Sequence, residues 1–134
     1  MPRRALAVSA LWVAFALAAA VPLSACNRGT VPSGAAFCAR VTKHLAELKG
    51  PVTDSAAAKR AVEAYKDVAI MAPAPVREAW ATVTLLVEAA ASLDLTSVTA
   101  QSAFAERAVA ADAQITRVAD YTRDTCGVEL NPKG

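Results

Sequence analysis

Four stretches of apolar residues spaced three and four apart, each bounded by turn or capping residues, restrict this chain to helices joined by short connections. The first stretch starts near Ala35, carries Phe37, Val41, Leu45 and Leu48, and stops at Gly50-Pro51. The second starts after Thr53 or Asp54, either of which can cap free helix amides. Its stripe is Ala58, Val62, Tyr65 and Ala69, and it must end before Pro73. Ala72-Pro73-Ala74-Pro75 reads as a rigid turn, with Pro75 at the first position of a third helix, where a missing N–H costs nothing. Val76, Trp80, Val83, Val87 and Ala90 form the third stripe, which fades near Leu93. Thr96 or Ser97 can cap a fourth helix, along which Phe104, Ala108, Ala111, Ile115, Val118 and Thr122 recur up to Cys126. Gly127 is the expected stop. No run alternates with period two, so the expectation is an all-α fold. Short connections favour antiparallel neighbours, hence an up-down-up-down four-helix bundle.

The N-terminal end obeys a different logic. Arg3 and Arg4 precede an apolar run from Ala5 to Val21 broken only by Ser9, the layout of an export signal. A retained signal-anchor is one alternative, although an alanine-dominated run of this length is short for a ~30 Å hydrocarbon core. Cleavage after Ala18-Ala19-Ala20 by the ordinary signal peptidase is another. The residues that follow, Leu23, Ser24, Ala25 and Cys26, resemble the lipobox of bacterial lipoproteins: an aliphatic residue, two small residues, and the cysteine that receives the lipid. The resemblance implies removal of residues 1–25 as a lipoprotein signal peptide, lipidation of Cys26, and a covalent lipid anchor in the membrane. Residues 26–34 then form a flexible tether, 35–130 the helical domain and 131–134 a C-terminal tail. Extended, the tether reaches at most ~30 Å, which keeps the domain close to the membrane.

Cysteine parity favours this reading over ordinary cleavage, which leaves three cysteines, one unpaired, in an oxidising compartment. Lipidation consumes Cys26 and leaves Cys38 and Cys126. In an up-down-up-down bundle the start of helix one and the end of helix four share an end, so these two can form a disulfide. An odd number of helices would separate them by ~25–30 Å, beyond any bridge. Two free thiols used for redox work are the alternative, without Cys-x-x-Cys spacing to support them. With the tether entering at the disulfide end, that end is expected to face the membrane. The loops around Gly50–Asp54 and Leu93–Ser97 are expected to point outward, toward a protein partner of unknown identity.

Composition narrows the chemistry. The chain has 14 basic and 12 acidic side chains, and discounting Arg3 and Arg4 leaves twelve of each. A neutral mature chain gives no reason to expect nucleic acid as a partner. His44, the sole histidine, sits at the edge of the first stripe and reads as a boundary residue rather than a base. No histidine or cysteine cluster has zinc spacing, and neither a metal nor a cofactor is expected. Asp120 and Asp124 lie one turn apart but interleave with Arg117 and Arg123, which suits a solvated charged face; Asp112 could join them only from that face. Neither Gly-x-Ser-x-Gly, Ser-x-x-Lys nor a phosphate-cradling glycine loop occurs. Trp80, Phe104, Tyr65 and Phe37 are expected to fill the core.

Phe37-Cys38, the run Ala72-Pro73-Ala74-Pro75-Val76-Arg77-Glu78-Ala79-Trp80, and Tyr121 before Cys126-Gly127 resemble small exported helical proteins of actinobacterial type. That resemblance implies no activity. The resulting expectation is a lipid-anchored, non-enzymatic binding module on the extracytoplasmic face of the cell membrane. The alternative is a carrier that shelters a lipid or small apolar ligand between its helices.

Overall fold

The computed structural model of the protein describes residues 32–130. The export signal, the Leu23-Ser24-Ala25-Cys26 motif, residues 26–31 of the tether and the 131–134 tail lie outside the described residues. Among those described, every regular element is helical: α1 (Gly34–Lys43), α2 (Leu45–Lys49), α3 (Ser55–Ala69), α4 (Ala74–Ala91), α5 (Val98–Ala110) and α6 (Asp112–Cys126). None of these helices is long and apolar enough to cross a membrane.

Six helices appear where four were expected because two of the four are interrupted at single residues. His44 (φ −103°, ψ 17°) separates α1 from α2, and Ala111 (φ −89°, ψ −2°) separates α5 from α6. Elsewhere the sequence signals act as expected. Asp54 rather than Thr53 caps α3, accepting from the Ala57 amide at 2.7 Å, and Ser97 rather than Thr96 caps α5, accepting from Ala100 at 3.2 Å. Pro75 falls at the second residue of α4, still within the first turn, where amides have no helical partner. Gly127 takes the left-handed conformation (φ 66°) that only glycine adopts cheaply. Its amide returns to Arg123 and the next, from Val128, to Thr122, which closes the end of α6.

The core is organised around α4, which packs against α3, α5 and α6. Trp80 is fully buried there, and its indole N–H donates to the Tyr65 carbonyl on α3 at 2.9 Å. Phe37 of α1 meets the Trp80 ring edge-on, centroids 5.2 Å apart, and Tyr121 of α6 meets Phe37 at 5.6 Å. Tyr65 lies 5.4 Å from Trp80 on the other side. Four aromatic rings, one each from α3, α4, α1 and α6, thus form a continuous chain through the domain. Such pairs add about 0.5–1.5 kcal/mol each beyond burial.

Three expectations about packing need correction. The buried stripe of α3 is Ala58, Ala61, Ala64 and Val68; of the expected residues Ala58 is buried, while Val62, Tyr65 and Ala69 are half-buried. Alanine extends no further than Cβ, so this face lets neighbouring helices approach closely, with Ala61 on the α2 side and Val62 and Tyr65 on the α4 side. On α4, Ala90 is exposed, and the buried residues are Val76, Ala79, Trp80, Val83 and Thr84. Phe104 is only half-buried and stays outside the core, because α5 buries none of its residues.

Cys38 and Cys126 form a disulfide, with Cα atoms 5.2 Å apart. Cys126 ends α6, but Cys38 is not at the start of the first helix. Ser33 caps the Ala36 amide and starts α1 at Gly34, so Cys38 falls mid-way along that ten-residue helix. The bridge joins positions 88 residues apart, which corresponds to about 4–5 kcal/mol in the chain-entropy account. Against a typical ~5–15 kcal/mol for a domain, that is a large share. Non-reducing peptide mapping should recover the Cys38–Cys126 pair, and the Cys38→Ala/Cys126→Ala protein should lose about 2–5 kcal/mol in urea denaturation; an unchanged midpoint would show that the bridge adds nothing.

Candidate functional site

The densest charged cluster joins α1 to α3. Arg40, Lys43 and His44 stand at spacings of three and four on α1 and its terminal residue, so they share one face. All three reach Asp67 of α3. Arg40 pairs with Oδ1 and also donates to the Asp67 carbonyl at 3.2 Å. His44 Nε2 lies 2.8 Å from Oδ2, and Lys43 Nζ 3.6 Å from the same oxygen. The hydrogen bond from His44 holds the Asp67 carboxyl below the usual carboxylate range, helped by the Arg40 and Lys43 charges and opposed by partial burial. Ionised Asp67 only accepts, so His44 must carry its proton on Nε2 and donate. The break at His44 is the place where the helix ends and the ring turns to this partner.

Chemically, the arrangement is a clamp. A carboxylate that orients an imidazole is also one half of a catalytic triad, but the other half is a nucleophile. Among the described residues, His44 has Asp67 as its side-chain hydrogen-bond partner, and no hydroxyl or thiol is bonded to it. The second charged group is the face of α6: Arg123 pairs with Asp120 at 2.8 Å and with Asp124 at 3.1 Å. The two acids are therefore drawn to a cation of their own helix, as the interleaving suggested, and Asp112 stands apart at the first turn. Among the described residues, no three or more histidine, cysteine or acidic side chains are grouped as metal ligands.

The cavities are surface crevices. A 200 Å³ crevice between α3, α4 and α6 is lined by Tyr65, Val83, Ile115, Val118, Ala119 and Leu130. A 300 Å³ crevice lies between the end of α4 and α5, against Leu93 and Phe104. A 450 Å³ groove runs along α6 beside Pro75, with Arg117, Asp120 and Tyr121 on its walls. Of the residues singled out in the sequence, Cys38 and Cys126 come together, Phe37, Tyr65 and Trp80 share the core, and His44 joins a cluster that was not foreseen. Arg40 and Asp67 were missed. The pattern Arg40, Lys43, His44 on one face was a readable signal for an acidic partner, but nothing local indicated Asp67 over Glu63.

Asp67 contributes stability that is present above its unfolded-state pKa, near 3.9, and lost as pH falls through its lower folded value. Asp67→Asn should cost about 1 kcal/mol at pH 7, the modest value expected for a partly exposed cluster. Below about pH 3.5 the gap to the wild type should shrink, as read by chemical denaturation across pH. A gap that persists unchanged at low pH would sink the clamp.

No family model, no curated protein and no solved structure matches this chain.

Proposed function

We propose that the chain is a lipid-anchored, non-enzymatic binding module, held by acylated Cys26 at the extracytoplasmic face of the cell membrane. One observation carries the reading. The bridge between Cys38 and Cys126 accounts for two of the three cysteines and leaves Cys26, within Leu23-Ser24-Ala25-Cys26, as the odd one. In this reading the helical rods, with α1 and α2 as one and α5 and α6 as another, run as an antiparallel up-down-up-down bundle. Two sets of neighbours support the antiparallel course: His44 meets Asp67 while Glu47 and Arg60 line one crevice, and Pro75 and Tyr121 line a second while Val83 and Ile115 line a third.

The tether then enters beside the disulfide, where Gly34 lies against Thr125 and Tyr121. The loops before α3 and before α5 point away from the membrane and carry the exposed apolar residues Val52 and Leu95, with Val98 following at the start of α5. Apolar side chains at an outward end suit contact with a protein partner. The test is metabolic labelling with a fatty-acid analogue. Label should appear in the wild type and vanish in Cys26→Ser; an unlabelled wild-type protein would refute the anchor.

The second reading, a carrier of a lipid or small apolar molecule, is favoured by the 200 Å³ crevice beside Tyr65 and Leu130. That volume is below the ~300–1,000 Å³ of ordinary ligand pockets, and the 300 and 450 Å³ crevices carry charged walls, Asp94 and Arg107 in one and Arg117, Asp120 and Asp124 in the other, which places the carrier second. Native mass spectrometry after mild extraction should give the mass of the protein plus its covalent anchor alone; a further bound lipid would reverse the order of the two readings.

A further inference from the structure

The helix α5 differs from every other long helix of the domain. None of its thirteen residues is buried. It packs only against its two neighbours in the chain, α4 and α6. Among the described residues it makes no ion pair, and its side-chain hydrogen bonds are the Ser97 cap at its own start and Gln101 to the Leu95 carbonyl in its own loop. What holds it to the body is apolar contact: the half-buried Phe104, Ala100 and Ala108 on its inner side. Outward it shows Val98 and Val109, 80% and 77% exposed. The contact itself is incomplete, because the 300 Å³ crevice lies beneath it, lined in part by Ala89, Leu93, Ala103 and Phe104.

Both ends of α5 are marked by a break in the regular helix. At one end Ala111 interrupts the helix, its amide shared between the Arg107 and Ala108 carbonyls, and no side chain caps the start of α6. At the other end the Leu93–Ser97 loop is held mainly by its own bonds, Asp94 accepting from the Thr96 amide at 2.9 Å and hydroxyl at 2.7 Å. Beyond Ala111, α6 is secured by Val118 and Thr122 in the core and by the disulfide at Cys126. Motion of α5 therefore need not loosen α6.

We propose that α5 is a strap that lifts from α4 as a separate unit, hinged at Leu93–Ser97 and at Ala111, and uncovers Phe104, Leu93 and the crevice between them. This holds whether or not Cys26 carries a lipid. Local opening of this kind is drawn from the part of a structure with the fewest buried contacts. A thirteen-residue helix without tertiary contacts is marginal in water, so the lifted strap unravels and its amides exchange. The strap gives the domain an apolar surface that is covered at rest and available on opening.

Hydrogen exchange read by mass spectrometry on the folded, disulfide-bonded protein tests this without any substitution. Amides of 101–110 should show protection at least about tenfold lower than those in the middle of α3 and α4. In Phe104→Ala the protection of α5 should fall further while that of α3 and α4 stays within about twofold. Exchange of α5 in step with α4 in the wild type would overturn the proposal. So would a Phe104→Ala protein in which α3 and α4 lose as much protection as α5.

Discussion

Burial of Trp80 is the constraint from which the rest of the domain follows. An indole is the largest side chain available, and placing it out of water requires both an enclosing apolar shell and a partner for its N–H. The Tyr65 carbonyl supplies the partner, although it belongs to the middle of α3 and already serves that helix. The shell is supplied by Phe37 and Tyr65 on the ring faces and edges, with Val41, Val68 and Val76 fully buried around them. In a domain whose other buried residues are mostly alanine and valine, no second side chain could organise α1, α3 and α4 about one point. Buried polar atoms follow the same economy. Thr84 and Thr122 are buried, and their hydroxyls donate to carbonyls one turn back in their own helices, so neither needs a partner from another element.

Two devices then fix the ten-residue helix α1, which is too short to be stable in isolation. The disulfide ties α1 to α6, and the Asp67 cluster ties it to α3. They differ in kind. The covalent tie restricts the unfolded chain and ignores pH, whereas the carboxylate acts only while ionised. Between them α1 is pinned on both flanks, and Phe37 and Val41 between the pins are wholly enclosed. Neither device reaches α5, which buries none of its residues.

Much of the helix layout was legible because its punctuation is chemical. Gly50-Pro51, Ala72-Pro73-Ala74-Pro75 and Gly127 cannot continue a helix, and Asp54 and Ser97 cap the ones that follow. The interruptions at His44 and Ala111 were not legible, since neither residue breaks a helix by itself. The rotation of α3 was hidden for a related reason. A sequence reading assigns the larger residues Val62 and Tyr65 to the core, but close helix approach selects the face with the least side chain. Phe104 failed in the same way from the other direction: periodicity places it on an inner face, but only tertiary contact decides how deep that face lies. At the Asp67 cluster the three basic residues were visible as a set, while their partner depended on the register of two helices that no local signal fixes.

The alanine face of α3 carries a consequence of its own. Ala64 of α3 and Ala79 of α4 are buried in the same core, so the separation of the two helices there is set by atoms that are missing. Any larger residue there would act as a spacer and push Tyr65 away from the indole it must satisfy. The alanine richness of this segment is thus a measured gap rather than a bias, and drift in the gene can widen the outer faces freely but not this one.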